Sequence, residues 1–307
     1  MKEKLKDLIT KTILLEYKLP HAKIGINKSC ITHQSKTDDC YKVEKLENFA
    51  RIIYESILYY SYDEYQLDGG NHQKMFLNAF NHKFKYNYDA AELSKLRLGI
   101  YGESLLYAIL KIFYGNKTLI SRGYFYDLQK KSEVTGYDCF HLIENEHGVE
   151  LWFGETKFHK SISGALKSVF EDKNNNIKIN EVISDEYLIN TNLVTIMQHH
   201  GNIVDKTTKI YSILEKWEKG LIENLQQELI DYKIKLVYPI LITFDQGENY
   251  IDSIKKAIDH INTKYSHVKF DKISIDYSIF FILIPISSSE TCKKTIISWI
   301  DSQEPLM

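Results

Sequence analysis

Two carboxylates and an amine in 134-VTGYDCFHLIENEHGVELWFGETKFHK-160 have the types and spacing for metal-assisted phosphoryl chemistry. The runs Val134–Ile143 and Val149–Phe158 are rich in β-branched and aromatic residues and flank the polar turn Asn145-Glu146-His147-Gly148, which is the pattern of a β-hairpin. A turn centred on Glu146 and His147 sets Asp138 directly opposite Glu155, and cross-strand neighbours lie about 4.5 to 5.5 Å apart on one face. The period of two along a strand adds Lys157 to that face. Like charges this close repel unless they share a cation or a proton, and oxygen donors with water positions to spare suit Mg²⁺ or Mn²⁺. The carbonyl of Thr156, between the two side chains, is a further oxygen for such an ion. A divalent ion held by carboxylates polarises a phosphoryl oxygen and lowers the pKa of bound water. In that arrangement Lys157 orients the attacking water and balances charge in the transition state.

The string [DE]-x-K alone carries little, because it also occurs at Glu16 to Lys18, Glu171 to Lys173 and Asp231 to Lys233. Only the copy at Glu155 ends an apolar strand and has an Asp brought opposite by a hairpin. The alternative for that copy is a solvated ion pair at a strand end, which contributes little stability. His199-His200 is an adjacent pair whose side chains diverge, with no HExxH around it. The absence of a Gly-rich phosphate loop, a nucleophile elbow and a GxGxxG fingerprint argues against an intrinsic NTPase, a serine hydrolase and a dinucleotide enzyme.

The elements that must hold these residues follow from hydrophobic periodicity. Residues 2 to 17 and Val43 to Leu58 read as amphipathic helices, with polar breaks at Ser29 to Tyr41 and Asp68-Gly69-Gly70-Asn71, so the first ninety residues read as mainly helical. A helix is expected from Asp89 to Tyr114, stopped by Gly115-Asn116, then strands at Thr118 to Tyr126, Val134 to Ile143 and Val149 to Phe158. A helix at Ser161 to Phe170 follows. Further on come a long helix over Thr208 to Lys233, a strand over Lys235 to Phe244, a helix over Tyr250 to Tyr265, a strand over Ile273 to Ile286 and a final helix.

The chain has 307 residues, enough for about two average domains and a large core. With 39 Lys and Arg against 41 Asp and Glu, the net charge of −2 excludes a polybasic nucleic-acid binder, so any polyanion site is local. Cys30, Cys40, Cys139 and Cys292 have neither CxxC spacing nor a finger-type His partner, which points to reduced thiols in a cytoplasm. The apolar runs Leu236–Phe244 and Ile279–Ile286 are far shorter than the roughly 20 residues of a membrane span, so no membrane partner is expected.

The order helix, three strands, helix, strand, with Asp on the second strand and Glu-x-Lys on the third, resembles the PD-(D/E)XK nuclease superfamily. Its restriction-endonuclease-like core is an αβββαβ mixed sheet flanked by helices. More narrowly, Gly136-Tyr137-Asp138 with Leu151-Trp152-Phe153-Gly154-Glu155-Thr156-Lys157-Phe158-His159-Lys160-Ser161-Ile162 is similar to the HamA family, the nuclease subunits of the Hachiman anti-phage defence system. The likeness is strongest over residues 95 to 172. Gly102-Glu103-Ser104-Leu105-Leu106 and Phe281-Ile282-Leu283-Ile284-Pro285-Ile286 add weaker support.

The resemblance implies a Mg²⁺- or Mn²⁺-dependent deoxyribonuclease with a partner helicase of the HamB kind. It makes Asp138 and Glu155 metal ligands, Lys157 the catalytic lysine and Glu103 the helix carboxylate that some superfamily members add. Tyr137 stands where the family's Pro precedes the Asp. A Glu flanked by Gly99 and Gly102 also fits a cap or a pair with Arg97. His159 precedes a helix and reads as a solvated entry residue, whereas Lys160, Lys167 and Lys173 can meet phosphates or form a solvated face. The expected division is a mostly helical region over residues 1–90, offering a partner surface, and a nuclease-like domain over 91–307. The alternatives are a non-catalytic subunit that binds nucleic acid or a partner, and an RNase on the same metal site.

Overall fold

The computed structural model describes residues 1–26, 37–84, 86–118, 126–127, 132–133, 137–145, 148–172, 174–175, 209, 211–212, 215, 225–268 and 276–307. The chain begins with α1 (Glu3–Thr12), β1 (Ile13–Leu19), β2 (Asp38–Val43), α2 (Leu46–Ser61), α3 (Glu64–Leu67) and α4 (His72–Asn78). Next come α5 (Glu92–Leu96), α6 (Ile100–Phe113), β3 (Lys117–Thr118), β4 (Tyr126–Asp127) and β5 (Ser132–Glu133). The hairpin strands are β6 (Cys139–Asn145) and β7 (Gly148–His159), followed by α7 (Ile162–Phe170). The described elements end with α8 (Leu225–Asp231), β8 (Ile234–Asp245), α9 (Tyr250–Tyr265), β9 (Tyr277–Ile286) and α10 (Ser289–Asp301).

One mixed sheet runs in the order β1-β2-β9-β8-β7-β6-β3. The inner strands β2, β9, β8 and β7 are parallel, and the outer pairs β1–β2, β7–β6 and β6–β3 are antiparallel. Parallel strands covered on both faces read as unbroken apolar runs rather than alternating ones, and β8 and β9 are buried almost throughout. Alternate residues serve two cores. Leu151, Phe153, Ile240, Ile242 and Phe281 face α7 and α9, while Trp152, Leu241, Phe280 and Ile282 face α1, α2, α6 and α10. Helix starts after the parallel strands are capped locally: the side chains of Ser161, Asn249 and Ser288 accept the N–H of Gly164, Asp252 and Thr291.

Three expectations change. The helix read over residues 2 to 17 stops at Thr12, because Ile13–Leu19 pairs with Asp38–Val43, and this long-range ladder outweighs a local helical pattern. The first ninety residues therefore supply two strands as well as helices, and Leu5, Phe49 and Ile53 share an apolar core with Leu106, Ile282 and Ile296. The helix read over Asp89 to Tyr114 is two helices. Its apolar period continues across Arg97–Gly99, but the backbone tightens there, with Arg97 N–H bonded to Ser94 O and Leu98 N–H to Lys95 O, and α6 restarts at Gly99. The third difference is in the strand read over Thr118 to Tyr126, of which only the two end residues are described, Thr118 in Lys117–Thr118 and Tyr126 in Tyr126–Asp127, and these belong to different sheets. Half of the helix read over 208 to 233, together with His199-His200, Lys173 and Cys30, lies outside the described residues. Among those described, no helix is long and apolar enough to cross a membrane.

His141 on β6 is wholly buried against the Tyr107 ring of α6, 5.5 Å between centroids, and neither ring nitrogen has a hydrogen-bond partner among the described residues. Burial, with the nearby Lys111 charge, pulls its pKa down to about 3. An unfolded histidine takes a proton below about 6.5 and the buried one stays neutral to about 3, so acid favours the unfolded chain across that window. His141→Leu is expected to flatten the pH dependence of urea stability between pH 6.5 and 3 by about one proton, roughly 1.4 kcal/mol per pH unit. Parallel curves for variant and wild type would refute this.

Candidate active site at the end of the hairpin

The ladder between β6 and β7 runs from Asn145↔Gly148 to Cys139↔Gly154, which is the register that sets Asp138 across from Glu155. Asp138 is the residue at which β6 leaves the sheet. Tyr137 before it packs in the α7 core, stacked on Phe153 at 5.0 Å, whereas Cys139 after it lies in the α6 core. The chain therefore crosses the plane of the sheet at Asp138.

Because β7 continues to His159, its last five residues have no β6 residue beside them. Asp138 closes part of that gap itself. Its N–H donates to Gly154 O at 2.8 Å, and its Oδ2 accepts the N–H of Thr156 at 2.8 Å. The carboxylate takes the place of a missing ladder bond. On the other side β7 remains paired with β8, Glu155 beside Ile240 and Lys157 beside Ile242, so both side chains rise from rigid strand.

Glu155 and Lys157 are partly buried neighbours joined by an ion pair. The ammonium of Lys157 also donates to the Thr156 carbonyl at 3.1 Å. Burial alone would lower the pKa of Lys157, but the carboxylates of Glu155, Asp138 and Glu103 together hold it above the usual lysine value. The local field is negative enough to keep a cation where water is partly excluded.

Glu103 reaches the site from α6. That helix lies close against β7, since a Cβ on Gly102 would come within 2.8 Å of Thr156 Oγ1. Glycine permits this approach, whereas any side chain at that position would push the Thr156 side chain aside. Glu103 is buried, and its Oε2 accepts the hydroxyl of Tyr60 at 2.6 Å, while Arg97 is exposed. Tyr60 Oη is also 3.3 Å from the Asp138 carbonyl. This tyrosine, on α2, links two candidate residues and was missed in the sequence. Its spacing marks it only as part of an apolar helix face.

The candidate set thus divides. Asp138, Glu155, Thr156, Lys157 and Glu103 come together. His159 is exposed, its Nδ1 accepting the N–H of Ser161 and its ring lying over Gly164, so it closes the start of α7 as an entry residue would. Lys160 and Lys167 are exposed at the start and on the outer face of α7. Among the described residues no three His, Cys, Asp or Glu side chains are grouped as a metal cage. The oxygens present are hard donors in a field that already favours a cation, and the buried Thr156 Oγ1 has no hydrogen-bond partner among the described residues. This chemistry fits Mg²⁺ or Mn²⁺ once the Lys157 ammonium moves off Glu155 and the Thr156 carbonyl.

A family model described as HamA matches residues 7–300. The chain belongs to the HamA family. That family is a component of the Hachiman antiviral defence system, and the match takes in the N-terminal helices and strands as well as the hairpin. No curated protein and no solved structure matches the chain.

The Tyr60–Glu103 contact is a hydrogen bond to a charged group, for which a contribution of about 1.5 to 3 kcal/mol is usual. Tyr60→Phe is expected to lower urea stability by that order. In a double-mutant cycle with Glu103→Gln the two losses should be less than additive by about 1 kcal/mol. Strict additivity would show that the two side chains do not interact.

Proposed function

We propose that this HamA-family protein is a metal-dependent deoxyribonuclease of the PD-(D/E)XK type, held in check by a partner helicase and acting in the cytoplasm. The observation that carries the reading is the convergence of Asp138, Glu155 and Lys157 where β6 ends and β7 continues, with Glu103 close by on α6. The described order α6, β3, β6, β7, α7, α8, β8 supports it as the αβββαβ order of that superfamily, with the small β4–β5 pair and α8 as additions.

In this reading Asp138 and Glu155, with the Thr156 carbonyl, hold Mg²⁺ or Mn²⁺. A bound divalent ion supplies Lewis-acid polarisation of the scissile phosphate and neutralises developing charge. The protein does the rest. Lys157, released from Glu155, turns its ammonium towards the attacking water and the phosphoryl oxygens. Glu103, fixed by Tyr60, adds negative charge on the side of α6. Lys160 and Lys167, exposed beside the site, meet DNA phosphates along α7. A net charge of −2 provides little long-range attraction for DNA, which suits delivery by a DNA-tracking helicase.

A second reading is a non-catalytic subunit that binds nucleic acid or a partner. It is favoured by the absence of a three-residue metal cage among the described residues and by the lysine seated on the metal-facing oxygens. The intact acidic pair and lysine favour the first.

Purified protein, alone and with the helicase encoded beside it, is to be incubated with plasmid DNA and Mg²⁺. Degradation is expected and should fall by about a hundredfold or more in Asp138→Ala and Lys157→Ala, the usual scale for removing a transition-state contact. Variants as active as wild type would refute the assignment, and inactivity of every form on DNA but not on RNA would make the enzyme an RNase.

A further inference from the structure

We propose that Lys293 is a positioning residue of this site, setting the spacing between the strand that carries Glu155 and Lys157 and the helix that carries Glu103. The inference rests on the nuclease reading and concerns a residue on the last helix, 136 positions from Lys157 in the chain.

On one side β7 runs on beyond the end of β6. Backbone groups that face one side of a strand recur every second residue. Gly154 O and Thr156 N–H both face Asp138, so the carbonyls that follow on that side belong to Thr156 and then to Phe158. Phe158 O has no β6 residue to pair with. Lys293 Nζ donates to it at 2.9 Å. The same ammonium donates at 3.1 Å to Leu96 O, an end-of-helix carbonyl of α5. Leu96 lies four residues before Ile100, where α6 begins its run to Glu103.

One amine therefore ties the end of β7 to the corner from which α6 departs. The ammonium lies over the Phe158 and Tyr101 rings, with centroids 4.9 and 5.8 Å from Nζ. Tyr101 is itself on α6. Burial draws the pKa of the amine down to about 8, against the opposing pull of Cys292 and Asp245. Two carbonyls and two ring faces are a weak return for desolvating an ammonium, and a role in geometry accounts for its position better than stability does.

The carbonyls of Thr156 and Phe158 are about 6.6 Å apart along the strand, two residues at the usual rise. Lys157 holds the first and Lys293 the second. With Lys293 in place, β7 cannot slide relative to α6, and Glu103 stays at a fixed distance from the acidic pair. Without it the corner at Arg97–Gly99 loses its attachment to the strand and the oxygen set loosens.

The test compares wild type, Lys293→Met and Lys293→Arg by three measurements: Mn²⁺ affinity by calorimetry, the Mg²⁺ concentration giving half-maximal cleavage of saturating plasmid, and urea stability. Loss of a group that orients metal ligands commonly costs 10- to 100-fold in metal affinity or activity. Lys293→Met should weaken Mn²⁺ binding and raise the Mg²⁺ requirement by about tenfold, with KM for DNA unchanged, and Lys293→Arg should stay near wild type. A Lys293→Met protein that is less stable but has wild-type metal dependence would reduce the residue to a structural tie and overturn the inference. Should Lys293→Met fail to fold, Lys293→Gln keeps donors without the charge. An intermediate metal shift in that variant supports the inference, and wild-type metal dependence overturns it. Wild-type protein that neither binds Mn²⁺ nor cuts DNA would remove the nuclease reading and this inference with it, an outcome distinct from active wild type with unaffected variants.

Discussion

The site depends on one mismatch of strand length: β6 ends at Cys139 while β7 runs on to His159. An unpaired strand edge inside a protein must have its N–H and C=O groups satisfied, or each costs about as much as a lost hydrogen bond. Here side chains do what the neighbouring strand no longer can. The Asp138 carboxylate takes the Thr156 N–H, the Lys157 ammonium takes the Thr156 carbonyl and the Lys293 ammonium takes the Phe158 carbonyl. Among the described residues, charged side chains gather along this edge because they take up backbone groups that β6 does not reach.

Close packing then turns a charged edge into a candidate site. Gly102 lets α6 lie directly on Thr156, and this approach brings Glu103 within the electrostatic reach of Lys157. Tyr60 extends the arrangement to α2, so the N-terminal elements are in contact with the candidate residues as well as with the sheet. The result is a buried carboxylate, two partly buried charges and an aspartate bound to backbone, all on elements fixed by two apolar cores. A lysine that keeps its proton in such surroundings reports a field suited to cations, which links the electrostatics to the metal proposed there.

Membership of the HamA family and the geometry answer different questions. The family match, spanning residues 7–300, identifies a defence component and includes the N-terminal strands within the same unit of likeness. The geometry names the residues available for chemistry and their supports. The proposal of a nuclease rests on the second, since a shared fold or family does not by itself fix an activity.

The local parts of this protein were legible in its residues. The period-two runs and polar turn defined the hairpin and its register; the spacing of apolar residues defined α7, α9 and the long apolar strands β8 and β9. Asp138, Glu155 and Lys157 could be placed together because they depend only on that hairpin. Contacts distant in the chain were not legible. Pairing with residues 38–43 made a strand of Ile13–Leu19, whose local pattern is helical, and the break before α6 leaves no mark in the apolar period. Tyr60 and Lys293 look like an ordinary core tyrosine and a surface lysine until α2 and α10 are packed, because what each holds lies 43 to 197 residues away. Local periodicity determined the elements and the acidic pair; tertiary packing alone decided what holds them in place, since hydrogen bonds across such distances have no repeat by which to be recognised.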